Sequence, residues 1–348
     1  MVRDNPDLLL AMVKAMEQQD SSLCCPGPYW QEYANRIIHA VRLSGLAGFR
    51  SNPDIGKGFC DVFTDDPRPY LHGMKRRCYE LFAPYGGEIF FRQYMRWKNR
   101  VRHARKNRYY HANLNEWMTD FTTRFDLPET CVGTPQRRIW LGGREYGELY
   151  LRNFAWVSDF AGSVDFSNVN AVMEIGGGFG SMAHTLLHLF PNISKYLYVD
   201  IPPVLYVSTQ YLRHFFGESV QDFQQASKGG IINFRQDDSR EIIAICPWQL
   251  QQVRVSCDLF WNSSSFQEMP RGIVSNYAKY LEMILSPESA MCLFFYTDVA
   301  SAHTITDHAV LEEFQAETTF RFSEVQLPIS RQVLSGSGYL GRRIIPGS

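Results

Sequence analysis

The segment Ala171-Val172-Met173-Glu174-Ile175-Gly176-Gly177-Gly178-Phe179-Gly180-Ser181 constrains this chain more than any other. An apolar run passes into a glycine-rich loop, and a helical pattern begins at once. Glycine lets the backbone turn tightly and lets a ligand approach with no Cβ in the way. The new helix N-terminus presents N–H groups to polar or anionic atoms. Such a loop also serves as a plain structural turn, so its neighbours matter. Glu174 ends the strand two residues ahead of Gly176, and a carboxylate there suits a cationic ligand group and repels phosphate. Ser181 stands where a dinucleotide fingerprint has its last glycine. A second strand, Tyr196-Leu197-Tyr198-Val199-Asp200, ends in an acid 20 residues after Gly180. An acid at that point accepts hydrogen bonds from ribose hydroxyls. Pro202 and Pro203 follow, in place for the first turn of a helix.

Around this loop, short apolar strands alternate with helix-length segments. Strands are predicted at Ala171–Ile175, Tyr196–Val199, Ile231–Phe234, Asp258–Trp261 and Met291–Tyr296, with helices at 181–190, 203–216 and 271–285. That alternation predicts an α/β fold with a parallel sheet covered on both faces. The tail from 318 to 346 supplies closing antiparallel strands. Residues 1–145 read as a mostly helical region that acts as a lid, a substrate contact or a homodimer contact, and 146–348 as the catalytic domain. Irregular stretches fall at 51–70 and 127–143, and a helix covers 88–120.

The Glu174–Gly180 loop and Asp200 resemble S-adenosylmethionine-dependent methyltransferases of the Rossmann-like class I. The resemblance implies that Glu174, Gly176, Gly177, Gly178, Asp200 and the adjoining Ile201 hold the cofactor, the loop taking its amino-acid part and the acid its ribose. It also implies a polar residue near the adenine after the third strand, which is Asp237 if Ile231–Phe234 is that strand. The run Asn262-Ser263-Ser264-Ser265-Phe266-Gln267-Glu268-Met269, together with Val199-Asp200-Ile201-Pro202, is similar to the sugar O-methyltransferase family. This resemblance spans most of residues 150–300 and implies a sugar or amino-sugar acceptor, in surface-glycan or secondary-metabolite pathways, with oxygen or nitrogen as the methylated atom.

Ligands of open α/β sheets lie beyond the carboxyl ends of the strands, which places Asn262 and Glu268 by the methyl donor. Glu268 is the first candidate for the base that takes the acceptor's proton; as an alternative it caps the helix near Arg271. His303 is the second candidate. Asp237, Asp238 and Asp258 offer hard oxygen ligands, but two have other uses, and no metal is expected.

A second function class rests on residues 92–108, with Arg92, Arg96, Lys98, Arg100, Arg102, Arg105, Lys106 and Arg108 interleaved with aromatics. Phosphate contacts and base stacking would make it an RNA-binding segment. The plain alternative is a helix whose aromatics pack inward, and a third is a site for a phosphate-bearing sugar. A net charge of −1 argues against nucleic acid. The eight cysteines show no CxxC pair, which argues against zinc ribbons and disulfide frameworks and for a reducing compartment. No signal peptide or membrane span is expected, which makes the reading a cytoplasmic enzyme.

Overall fold

The computed structural model describes residues 1–19, 28–56, 74–121, 127, 129–141, 143–296, 305–330 and 336–344. In chain order the helices and strands are α1 (Pro6–Glu17), α2 (Pro28–Ser44), α3 (Pro53–Gly56), α4 (Met74–Phe82), α5 (Gly87–Phe121), β1 (Arg138–Leu141) and β2 (Arg144–Gly147). There follow α6 (Glu148–Ala161), β3 (Ala171–Ile175), α7 (Ser181–Leu189), β4 (Lys195–Val199), α8 (Pro202–Phe216), β5 (Val220–Gln221) and α9 (Phe223–Ala226). The last are β6 (Glu241–Ile245), β7 (Cys257–Ser263), α10 (Arg271–Ile284), β8 (Leu285–Tyr296), α11 (Asp307–Glu317), β9 (Phe320–Val325) and β10 (Gly336–Arg343).

Eight strands form one sheet in the order β5-β6-β4-β3-β7-β8-β10-β9. The first six run parallel, and β10 lies antiparallel between β8 and β9. β3, β4 and β6 are buried at every position, as expected of parallel strands covered on both faces. This is the class I methyltransferase arrangement, with the two-residue β5 added at one edge.

The third parallel strand is displaced from its expected place. Ile231–Phe234 is not a strand: Ile232 makes an isolated bridge to Val253, and Glu241–Ile245 pairs with β4 instead. Three apolar residues in a run of four, broken by Asn233, cannot by themselves be told from a connector that dips into the core. Ile232 is buried while Ile231 is exposed.

The chain divides into two compact units, Met1–Ala47 with Tyr150–Ser348, and Gly48–Leu149. The expected boundary near 145 lies close to the end of the second unit, but α1 and α2 pack with the sheet. Leu8, Leu9, Met12 and Val13 of α1 are buried. The Tyr206 hydroxyl of α8 receives the Asn5 N–H at 2.7 Å and donates to Asp4, and Gln210 donates to the Arg3 carbonyl at 2.9 Å.

Within Gly48–Leu149, β1 and β2 form a hairpin where the sequence suggested only irregular connection. Buried Arg50 donates to the Thr130 and Val132 carbonyls at 2.6 and 3.1 Å. On α5, Met95 is buried, and Phe91 meets Tyr79 edge-on at 5.2 Å. Phe90 and Trp97 are 68% and 60% exposed, so the inward-packing alternative fails for them.

Candidate functional site

Three carboxylates gather at the carboxyl end of the parallel strands. Glu174 lies near the end of β3, 1% exposed, and accepts from the Tyr196 hydroxyl at 2.8 Å. Asp200 follows β4 directly. One of its oxygens accepts from the Gly178 N–H at 3.1 Å and the other from the Ile201 N–H at 2.8 Å. Each carboxylate oxygen has two acceptor positions, so each retains one for a ligand hydroxyl. Glu268 ends a 3₁₀ turn, Ser265–Glu268, beyond β7 and accepts from the indole N–H of Trp30 at 2.7 Å.

These acids hold their protons unusually well. Burial pushes Glu174 up to about 8, opposed by the Tyr196 hydrogen bond and assisted by the charge of Asp200. Burial likewise pushes Asp200 up to about 8, opposed by the Ile201 and Gly178 N–H groups and assisted by Glu268. Glu268 rises to about 7 by burial, with the Trp30 hydrogen bond pulling the other way. None of the three has a salt bridge with a cationic side chain among the described residues. Buried acids in that condition are costly unless a cation joins them.

The glycine loop fits closely against this cluster. Gly176, Gly178 and Gly180 have φ of +70°, +66° and +91°, a region that non-glycine residues rarely adopt. Gly177 is glycine for a different reason. A Cβ there would lie 2.5 Å from Glu174 Cδ and 2.7 Å from Tyr198 Cε2. The Tyr198 hydroxyl donates to the Gly178 carbonyl at 2.7 Å, pinning the loop from below.

The loop after β7 is built as tightly. Asn262 is fully buried and donates from Nδ2 to the Ile175 carbonyl at 2.8 Å and to Ser265 Oγ at 2.6 Å. Ser264 takes φ +71° without being glycine, a strain of about 1–3 kcal/mol of the kind found at functional sites. The Gln267 side chain accepts the Tyr296 N–H at 2.9 Å and donates to the Tyr296 carbonyl at 3.0 Å, tying the turn to the end of β8.

Of the residues singled out in the sequence, Glu174, Gly176, Gly177, Gly178, Asp200, Ile201, Asn262 and Glu268 come together here. Asp237 does not. It pairs with Lys195 Nζ at 3.4 Å and caps the turn at Ser239. Lys195 is the first residue of β4 and Asp200 follows its last, so Asp237 sits at the amino end of the parallel strands, opposite Asp200. The shift of the third strand to Glu241–Ile245 is the cause. The carboxyl end of that strand delivers Cys246-Pro247-Trp248, and burial followed by the charge of Asp200 raises the Cys246 thiol. His303 lies outside the described residues. Sequence reasoning missed Tyr196 and Trp30 as partners of the acids, and Tyr198 as the partner of the loop carbonyl. Strand alternation places the tyrosines, but nothing in one sequence pairs them with a carboxylate.

The donor set fits S-adenosylmethionine. Acids with no cationic partner among the described residues suit its sulfonium and ammonium, and the open positions on Asp200 suit a ribose. The described helices include none long and apolar enough to cross a membrane.

The O-methyltransferase domain family matches residues 156–228. No curated protein matches the chain. Among solved structures, the mitomycin 7-O-methyltransferase MmcR is similar at 15% identity, over 57% of this chain and 55% of that one, with a TM-score of 0.40. Human N-acetylserotonin methyltransferase in complex with SAM is similar at 13% identity, over 56% of this chain and 52% of that one, at 0.38. An S-adenosylmethionine-dependent methyltransferase from Clostridium acetobutylicum is similar at 10% identity, over 55% and 92%, at 0.39. The chain spans about half the length of the first two. Residues 156–228 thus carry an O-methyltransferase domain match, and the sheet around them has the class I methyltransferase strand order.

Proposed function

We propose that the protein is an S-adenosylmethionine-dependent methyltransferase that methylates a hydroxyl of a small molecule, a sugar or amino sugar being the acceptor class. The observation that carries this is the acid cluster beneath the glycine loop: buried Glu174 and Asp200 with half-buried Glu268, none with a cationic partner among the described residues. When bound, S-adenosylmethionine supplies a methyl group activated by a sulfonium. Asp200 takes the ribose hydroxyls, Glu174 underlies the loop that receives the amino-acid part, and Cys246-Pro247-Trp248 flank the adenine. Glu268 accepts the acceptor's proton at Oε1, its Oε2 being occupied by Trp30. A carboxylate raised to about 7 suits a base working near neutrality.

The sugar class is supported by the likeness of residues 262–269 to sugar O-methyltransferases. It is supported also by the Trp30 and Tyr33 rings, 5.7 Å apart and tilted by 54°, beside the base. Titration with S-adenosylhomocysteine by calorimetry, beside Asp200→Ala, tests the cofactor site. Methyl uptake by sugars and nucleotide-sugars then tests the acceptor. No heat from ligand-free wild type overturns the reading. A second reading, RNA binding by α5, is favoured by the exposure of Phe90, Tyr94 and Trp97 among exposed arginines. Charge reversal at Arg96, Arg100 and Arg105 abolishes RNA retention on that reading and leaves cofactor binding intact on the first.

A further inference from the structure

The base candidate is held by a residue from the far end of the chain. Trp30 Nε1 donates to Glu268 Oε2 at 2.7 Å across 238 positions of sequence. Trp30 is the third residue of α2, and Ala34, Ile37, Ile38, Ala40 and Val41 form the buried face of that helix. The indole N–H therefore projects from a packed element, as a group that must fix another side chain should. Tyr33, one turn on, lies against the Trp30 ring. The acid facing Glu268 is Asp200, and Glu174 faces Asp200 in turn.

We propose that Trp30 is a positioning residue for the transfer reaction: its indole N–H fixes one oxygen of Glu268 and leaves the other directed at the acceptor's proton. This rests on the methyltransferase reading above. An N–H donor favours the ionised carboxylate, and burial of Glu268 opposes it. With Trp30 in place, Glu268 releases its proton near neutrality and its carboxylate is held in one orientation. Without the donor, it keeps its proton to higher pH and turns more freely. A tryptophan that only filled space would contribute its ring and nothing else, which Trp30→Phe largely preserves.

The test uses the full chain labelled with ¹⁵N at its indoles. There are seven tryptophans, and the Trp30 indole signal is the one lost in Trp30→Phe. That signal is expected to move with pH through a midpoint near 7 and to stand still in Glu268→Gln. The ¹³C signal of the Glu268 carboxyl, assigned with the same variant, is expected to titrate about one pH unit higher in Trp30→Phe. On an acceptor drawn from the sugar screen, Trp30→Phe lowers kcat and moves the acidic limb of the profile upward by a like amount. S-adenosylhomocysteine affinity stays within about twofold, since this variant removes no cofactor contact. An indole signal indifferent to Glu268→Gln, or a Glu268 midpoint unchanged in Trp30→Phe, overturns the proposal. Failure of the wild type to bind S-adenosylhomocysteine instead sinks the methyltransferase reading, and this role with it. The indole titration still reports the contact in that case, so the two failures are distinguishable.

Discussion

The two ends of the parallel sheet carry buried acids in opposite electrostatic conditions. At the amino end, Glu241 opens β6 only 1% exposed. It receives the Gln221 amide at 2.5 Å and the Arg235 N–H at 2.7 Å, with Lys195 Nζ at 3.6 Å. Asp258, at the same end, accepts the backbone N–H groups of Asn170 and Ala171, both at 2.9 Å. At the carboxyl end Glu174, Asp200 and Glu268 have hydrogen bonds but, among the described residues, no salt bridge to Lys or Arg, and all three are pushed upward. Folding neutralises one end and leaves the other charged or protonated. The chain pairs a buried acid through Lys195, about 17 Å back along β4 from Asp200, and the proposed cationic ligand would complete the cluster that has no such partner among the described residues.

The largest effect falls on the end that is already paired. Lys195→Met keeps the volume but removes the ammonium that serves Glu241, Asp237 and the Ser239 carbonyl. Breaking a buried pair in this way costs about 3 kcal/mol. Denaturant unfolding should show that loss while S-adenosylhomocysteine still binds. A variant that unfolds no earlier would remove the contrast between the two ends.

At the other end Asp200→Ala is expected to act on the ligand instead. Two hydroxyl contacts to a charged acceptor are lost, and affinity for S-adenosylhomocysteine falls about 100-fold or more by calorimetry. Stability holds or rises, because an unpaired buried acid is gone. A stability loss with affinity intact would make Asp200 a structural cap for the loop and nothing else. Gly177→Ala lies between these cases. Its Cβ meets Glu174 and Tyr198 at once, so overpacking of about 1–3 kcal/mol should appear in thermal unfolding together with weakened binding.

The pH dependence sharpens the same contrast. Glu174 and Asp200 hold protons to about 8 when folded, whereas unfolded carboxyls release them near about 4. Between those values the folded chain binds more protons than the unfolded one, so ligand-free stability falls as pH rises from about 5 to about 8 and levels beyond. Glu174→Gln should flatten that slope. Binding of a sulfonium and an ammonium lowers both acids, so S-adenosylmethionine should release protons at pH 7, seen as a binding enthalpy that varies with the buffer. A binding enthalpy independent of buffer would mean that the acids are already ionised.

How much of this was legible in the sequence follows the same division. The β3 strand, its glycines and Asp200 are local: apolar residues, a turn chemistry and an acid within 30 positions, and the structure places them as the pattern suggests. The 271–284 helix and the closing strands of the tail were equally visible in periodicity. What escaped depends on contacts between distant segments. Trp30 meets Glu268 only because α2 packs with the sheet-bearing unit, and no spacing rule joins positions 30 and 268. The β1–β2 hairpin hid in a stretch whose Pro128, Gly133, Pro135, Gly142 and Gly143 read as connection. On α5, eight cations in seventeen residues mask which side is apolar, and Met95 and Phe91 face inward while Trp97 does not.

Asp237 shows why a misplaced strand misplaces chemistry. The sequence points Asp237 at the adenine only if Ile231–Phe234 is the third strand, because an acid three residues past a strand end has the right address. The sheet instead takes Glu241–Ile245, with Ile245 accepting the Asp200 N–H at 3.3 Å, so Asp237 precedes the strand rather than following it. Its carboxylate is held below the usual range by the Ser239 hydroxyl first, then the Ser239 N–H and Lys195. Asp237→Ala should therefore leave S-adenosylhomocysteine affinity within about twofold of wild type, beside the loss in Asp200→Ala. Equal losses in the two variants would return Asp237 to the adenine and require that the 231–240 segment bind elsewhere when the cofactor is present. An unchanged affinity leaves Cys246-Pro247-Trp248, at the true end of the third strand, as the segment to mutate next.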